Sequence, residues 1–240
     1  MHAPLDDYAA RPEHKRGPMT KDQWTEVDHY IEPLLLPEDA VLEAALRASA
    51  DAGLPAIGVS PPQGKMLELL ARVRGARRIL ELGTLGGYST IWLARALPDD
   101  GRLVTLELNP AYAEVARANI ARAGLEHLVE QRVGPAIETL PQLVAEGAGP
   151  FDFIFIDADK ASYPDYLPWT LELSAPGTVI VADNLVRGGA VLEPAGNDPS
   201  SQGSRRFTEM LGAEPGVSAT LIQTVGSKGW DGFALAVVRA

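Results

Sequence analysis

Short apolar runs alternate with helix-forming segments through most of this chain, and that alternation limits the fold more than any other feature. The runs are Arg77–Leu82 (RRILEL), Leu103–Leu108, Leu128–Val133, Phe151–Ile156 (FDFIFI) and Thr178–Ala182 (TVIVA). Continuous apolar runs of this kind belong to parallel strands covered on both faces. Between them, helices are predicted over Tyr88–Leu97, stopped by Pro98, and over Pro110–Ala123, closed by Gly124. Two more cover about Ile137–Glu146 and about Tyr163–Leu173. The end of the chain breaks the rhythm. Ser218–Val225 and Phe233–Val238 are separated by Gly226–Gly232 alone, too short for a helical crossover, so they pair as an antiparallel hairpin. The expected fold class is α/β: a seven-stranded sheet, mostly parallel with a C-terminal antiparallel hairpin, and helices on both faces.

Ahead of the first strand the pattern is helical. Residues 1–20, rich in Pro, His and charge, read as a flexible arm. Thr20 with Gln23 fits a capping box opening a helix from Asp22 to about Leu36, with Trp24, Val27, Ile31 and Leu34 at helical spacing. A second helix runs from about Pro37 to Ala52 and stops at Gly53. Ser60, Pro61 and Gln63 repeat the N-terminal signal, with the glutamine expected to reach back to the cap, and this third helix ends near Gly75. The expected organisation is a 1–20 arm, a 21–76 helical segment and a 77–240 core, the last two forming one structural domain.

The 240 residues suit one large α/β domain. Cysteine is absent, which excludes disulfides, thiolate metal ligands and a cysteine nucleophile. No apolar run approaches the ~18 residues needed to span a bilayer, and the first 20 residues lack a signal peptide's apolar stretch. A cytoplasmic enzyme without a membrane partner is the expectation. Net charge is −11, and the basic clusters at Arg72, Arg74, Arg77 and Arg78 and at Arg205–Arg206 are short, so nucleic acid is a poor partner.

In a doubly wound sheet, ligands sit at the carboxyl ends of the strands near the switch point. Here the first strand runs into Glu81-Leu82-Gly83-Thr84-Leu85-Gly86-Gly87-Tyr88-Ser89. A glycine loop alone equally describes a tight strand-to-helix turn. Two acids point further, to a nucleoside. Glu107, ending the second strand, is placed to accept hydrogen bonds from ribose hydroxyls. Glu81 sits inside an apolar strand, where a carboxylate is costly unless paired, and the amino group of S-adenosylmethionine is a candidate partner. A nicotinamide-dependent oxidoreductase is the alternative. However, the loop lacks the G-x-G-x-x-G spacing that seats a pyrophosphate, and S-adenosylmethionine has no phosphate to seat.

The fourth strand ends in Asp157-Ala158-Asp159-Lys160 and the fifth in Asp183-Asn184. Adjacent strands lie about 4.8 Å apart, so these ends can converge on one ion. Two carboxylates and an amide oxygen form a hard-oxygen set suited to Mg²⁺, with Mn²⁺ or Ca²⁺ also accommodated. Either acid alone reads equally as a helix cap; the pair on successive strand ends favours a metal. Asp159, two residues on, turns away from a one-sided ion. Lys160, three residues after a metal ligand, becomes usable as a general base beside the positive charge. A phenol's pKa of about 10 makes its anion cost roughly 4 kcal/mol at neutral pH, which explains a need for both ion and base.

The stretches ILELGTLGGYSTIWLARALPDDGRLVTLE, FDFIFIDADKASYPDYL and GTVIVADN resemble the cation-dependent O-methyltransferases, a family that includes catechol and, in the motif comparison, more closely caffeoyl-coenzyme A O-methyltransferases and their bacterial relatives. The strand order with its final hairpin is similar to that of class I, Rossmann-like methyltransferases. The resemblance covers roughly residues 40–240. It implies Asp157, Asp183 and Asn184 as metal ligands and Lys160, with Asp157, as the catalytic pair. It implies S-adenosylmethionine contacts from Val59, Glu81, Gly83, Thr84, Ser89, Glu107, Ala136, Asp157 and Tyr166. It also implies a homodimer whose N-terminal helices close over a small aromatic acceptor with vicinal hydroxyls. Where plant coenzyme A enzymes carry Trp and Asn after the D-N pair, this chain has Arg187 and Gly188, and the Gly226–Gly232 loop differs too. Arg187 is a candidate contact for an acidic acceptor group. Tyr163, Trp169 and Trp230 are candidates to stack on an aromatic acceptor, and Trp92 is expected in the core. The four histidines show no ligand spacing. Other readings are a nucleic-acid methyltransferase, opposed by D-A-D-K where flipped-base enzymes use N-P-P-Y, and a catalytically dead binding protein.

Overall fold

The structure is a computed structural model that describes residues 20–193 and 196–240; the expected N-terminal arm lies almost wholly outside the described residues. Three helices come first: α1 (Lys21–Leu35), α2 (Ala40–Asp51) and α3 (Pro61–Arg74). Thr20 and Gln23 form the expected reciprocal capping box on α1. Asp39 caps α2 through the Val41 and Leu42 amides, so this helix starts three residues later than its proline suggested. Ser60 caps α3, and Gly75 ends it at φ 67, a conformation that glycine adopts without strain.

The strands then alternate with helices as expected. The order is β1 (Arg78–Leu82), α4 (Tyr88–Ala94), β2 (Arg102–Glu107), α5 (Pro110–Arg122), β3 (Val129–Val133), α6 (Ala136–Ala145), β4 (Phe151–Ile156), α7 (Tyr163–Glu172) and β5 (Ser174–Ala182). A helix the sequence reading did not identify, α8 (Pro199–Ala213), precedes the hairpin of β6 (Val217–Gly226) and β7 (Gly229–Val238). The spatial order is β3-β2-β1-β4-β5-β7-β6. The first five strands run parallel, and β7 inserts antiparallel between β5 and β6. The hairpin is longer than expected. Gly226 pairs with Gly229, so the turn is only Ser227-Lys228, and Trp230, Asp231 and Gly232 belong to the strand.

Both faces of the central strands are covered, and strand periodicity divides their side chains between two cores. Leu80, Leu82, Ile154 and Ile156 pack with Tyr163, Leu167 and Phe207 on one face. Ile79, Phe153 and Phe155 pack with Leu67, Ile91 and Trp92 on the other. Burying each such side chain contributes about 1.5–3 kcal/mol. Gly64 of α3 faces the Trp92 ring so closely that an added Cβ would lie 2.4 Å from it. That contact brings α3 and α4 together against the sheet.

This topology positions the site. Strand order reverses direction at β1 and β4, where the following loops leave for opposite faces and open a crevice. The loops meet at Gly83: its φ of 98 and the Asp157 carbonyl, 2.2 Å from where a Cβ would sit, leave no room for a side chain.

Candidate active site

The crevice is a cavity of about 850 Å³. Of the expected donor contacts, Val59, Gly83, Thr84, Ser89, Glu107, Ala136, Asp157 and Tyr166 line it, together with Lys160 and Asn184. Glu81 and Asp183 do not reach the wall; both are buried behind it.

Three short loops build one end of the cavity. Glu107 closes β2 and is held by the chain around it, its two carboxylate oxygens accepting from the amides of Leu85 and Asn109, each at 2.8 Å. The carboxylate is thereby fixed at the rim of the β1 loop. Glu81 is fully buried in β1, and three hydroxyls donate to its carboxylate. Ser89 donates to Oε1 at 2.6 Å, while Thr90 and Thr105 donate to Oε2 at 2.5 and 2.7 Å. Burial pushes the Glu81 carboxyl up to about 7, against the pull of those hydrogen bonds. Thr84 turns its hydroxyl to Thr105 at 2.6 Å, so its contact with the cavity is through the rest of the residue.

The other end is built where β4 and β5 stop side by side. The Asp157 amide donates to the Leu82 carbonyl at 2.8 Å, and the Asp183 amide donates to the Ile156 carbonyl at 3.0 Å. Each acid therefore follows directly on a strand, as expected. Lys160 lies on the Asp157 carboxylate at 2.5 Å, with both side chains largely withdrawn from solvent. Burial, and next the charge of Asp157, raise the Asp183 carboxyl well above the ordinary carboxylate range. A hydrogen bond from the Asn184 amide to Oδ1, at 2.8 Å, opposes that rise. The Gln63 amide donates to the Ser60 hydroxyl at 3.4 Å, without the reciprocal side-chain bond that the expected capping box on α3 would add.

Several residues that hold this end were not recognised in the sequence. Asn184 has a φ of 58, and its Nδ2 donates to Asp231 Oδ2 at 3.3 Å. The other oxygen of Asp231 accepts from the amides of Val186, Arg187 and Gly232 at 3.0, 2.9 and 2.9 Å. One acid in β7 thus ties down the whole loop after β5. The flanking glycines of the G-W-D-G segment were the available signal. Ser204 of α8 adds a bond to the Asn184 carbonyl at 3.2 Å. Gly203 lets α8 lie on the Lys160 backbone, whose carbonyl oxygen is 2.1 Å from where a Cβ would be.

The aromatic candidates separate clearly. Tyr163 is fully buried, its hydroxyl donating to the Ile156 and Asp183 carbonyls at 2.8 and 3.2 Å. It ties the two strand ends together and has no face toward an acceptor. Trp169 packs on the core beneath, and neither it nor Trp230 lines the cavity. Trp230 lies against Gly189 and bonds Gln223 at 3.0 Å. Trp92 is in the core as expected. Arg187 does line the cavity.

Among the described residues, no group of three or more His, Cys, Asp or Glu side chains gathers to hold a metal ion. The expected set contains only two carboxylates, completed by an amide. Its chemistry nevertheless fits a hard cation. The charge of Asp157 adds to the cost of ionising the buried Asp183, which a cation beside them would offset. The acceptor-only carboxylate of Asp231 holds the amide nitrogen of Asn184, which leaves the Asn184 oxygen free to ligate.

Comparison with known proteins gives a consistent answer. A catechol O-methyltransferase of Niastella koreensis is 58% identical over 221 residues, 92% of this chain and 100% of that protein. The crystal structure of an O-methyltransferase from Bacillus cereus in complex with SAH superposes with a TM-score of 0.90 at 56% identity, covering 92% of this chain and 100% of that one. A caffeoyl-CoA O-methyltransferase of Populus trichocarpa is more distant, 37% identical over 138 residues, 57% of this chain and 56% of that protein. The bacterial catechol enzyme is therefore nearer than the plant coenzyme A enzyme. The O-methyltransferase family model matches residues 35–237, and with that span the chain belongs to the O-methyltransferase family.

Proposed function

We propose that this protein transfers the methyl group of S-adenosylmethionine to one hydroxyl of a small aromatic acceptor with vicinal hydroxyls, with a divalent cation, Mg²⁺ foremost, bound at Asp157, Asp183 and Asn184. The observation that carries the reading is the convergence of the Asp157–Lys160 pair and Asn184 on one cavity with Glu107 and the glycine loop. The family match and the SAH bound by the Bacillus cereus relative support the donor. Neither supports the nicotinamide alternative.

In this reading Glu107, fixed by two backbone amides, accepts from the donor's ribose hydroxyls, while Val59, Gly83, Ala136 and Tyr166 enclose the nucleoside and methionine arms. When bound, the cation supplies charge that stabilises the acceptor oxyanion and orients two neighbouring oxygens. Lys160 Nζ, positioned by Asp157 and acting as the neutral amine, takes the phenolic proton to become the ammonium, and a proton-transferring side chain of this kind contributes about 10²–10⁴-fold. Attack on the sulfonium methyl then depends mostly on orientation and on exclusion of water by the cavity walls.

The helices before β1 are proposed to cover the acceptor and to form a homodimer. Supporting this, α1 has no buried residue although its apolar side chains are regularly spaced; Val27, Tyr30, Leu34 and Leu35 remain exposed, the first two beside Val225 of β6. No described helix is long and apolar enough to cross a membrane. The proposed setting is the cytoplasm.

Methyl transfer from labelled donor to a panel of vicinal diphenols, with and without chelator, tests the proposal. Lys160→Met should lower kcat at least about 10²-fold, and Asp183→Ala should abolish the Mg²⁺ response. Methylation unaffected by both chelator and Asp183→Ala would remove the metal from the mechanism.

A further inference from the structure

One polar group on the cavity wall finds no partner in the described protein. Arg187 lines the cavity three residues beyond Asn184, and its Nε is buried without a hydrogen bond. The backbone there is held in place. Its φ is 56, in the left-handed region, and Asp231 accepts from the Arg187 amide at 2.9 Å. Gly188 and Gly189 follow at φ 62 and 92 and let the chain turn away. A non-glycine residue kept in this conformation by a specific tether has its side chain aimed, and such strain gathers where ligands bind.

The nearby acid does not account for it. Asp198 has its carboxyl held below the usual range first by Ser201, and only last by the charge of Arg187. The Asp198 oxygens are engaged by the Ser200 and Ser201 amides at 3.3 and 3.0 Å as the cap of α8. A second cation stands at the same cavity. Lys228, in the hairpin turn, donates to the Ala56 carbonyl at 3.1 Å and also lines the wall. Lys160, the other cation of this wall, is paired with Asp157, and Glu107 is engaged by backbone amides, so neither answers Arg187. A buried guanidinium N–H without an acceptor is costly, and the planar fork of arginine matches a carboxylate.

Resting on the function proposed above, we propose that Arg187, with Lys228 at the rim, forms an anion subsite, so that the preferred acceptor is a vicinal diphenol bearing a carboxylate.

The test compares protocatechuate, a diphenol carboxylate, with its methyl ester in the full-length protein with Mg²⁺ and saturating donor. For the wild type, kcat/KM should favour the acid by at least about tenfold, the worth of one charge-assisted hydrogen bond, and the difference should lie mainly in KM. In Arg187→Gln the acid-to-ester ratio should fall to within about twofold of one, and Arg187→Lys, which keeps the charge and loses the fork, should fall between. A wild-type ratio near one, or a ratio unchanged in Arg187→Gln, overturns the subsite. If neither compound is methylated, the function proposed above fails, and calorimetric binding of the same pair decides the subsite separately. Tighter binding of the acid by the wild type but not by Arg187→Gln supports it; equal binding overturns it.

Discussion

Asp231→Asn exchanges one carboxylate oxygen for an amide nitrogen at nearly constant volume, which makes it a sharp probe of how the metal end is held. In the native protein Oδ1 accepts from three backbone amides, and Oδ2 faces the Asn184 side-chain nitrogen at 3.3 Å. An asparagine can keep its carbonyl oxygen toward the three amides, so its new NH₂ must face the NH₂ of Asn184. Two donors then oppose each other, and Asn184 relieves this by turning over. Its nitrogen replaces the oxygen offered to the proposed cation. The three backbone bonds lose a charged acceptor but keep a neutral one, a difference of up to about 1 kcal/mol each before discounting for partial exposure. A stability loss of about 1–2 kcal/mol follows. Disturbing a residue that orients a metal ligand typically costs about 10–100-fold in metal affinity. Asp231→Ala instead strands all three amides and should cost about 3–5 kcal/mol. Urea unfolding and Mg²⁺ titration of methyl transfer measure the two effects. The reasoning is refuted if Asp231→Asn keeps its half-saturating Mg²⁺ within about twofold of the wild type.

Two further substitutions test the packing behind the site. The Glu81 carboxyl, raised by burial from 4.5 to about 7, binds its proton more tightly in the folded than in the unfolded chain. Its contribution to stability is therefore full below about pH 4.5 and is lost as pH rises through about 7, a change of about 3 kcal/mol. Glu81→Gln should gain on the wild type by about 2–3 kcal/mol in urea unfolding between about pH 5 and about pH 8, and a difference independent of pH would sink the argument. Gly203→Ala would put a Cβ 2.1 Å from the Lys160 carbonyl oxygen and 2.7 Å from Ala161 Cα. Overpacking of this kind costs about 1–3 kcal/mol. Displacement of the Lys160 turn should lower kcat by about tenfold or more, and an unchanged kcat would show that α8 does not position the lysine.

The order of strands and helices was legible because each element carries its own periodic signal. FDFIFI and TVIVA can be little else than strands buried on both faces, and the caps at Thr20, Ser60 and Gly75 mark helix ends by local chemistry alone. The helix α8 escaped because PSSQGSRRFTEMLGA shows only Phe207, Met210 and Leu211 as large apolar residues, with glycine in its middle. That glycine looks like a breaker until the Lys160 backbone is seen against it. Asp198 and Pro199 were the signal that could have marked the start of α8.

What the sequence determined by itself was therefore local: which segments are strands, and which acids stand at their carboxyl ends. Asp157, Lys160 and Asn184 were placed at strand ends by counting, and a parallel sheet must bring such ends together. The tertiary structure decided the partners. It gave Glu81 three hydroxyl donors and set Asp183 behind the cavity wall. It buried Tyr163 between β4 and β5 and tied Asn184 and Arg187 to Asp231, more than forty residues away in the chain. A polar side chain's own sequence neighbourhood states its need for a hydrogen bond; which group meets that need depends on what the fold brings within about 3 Å.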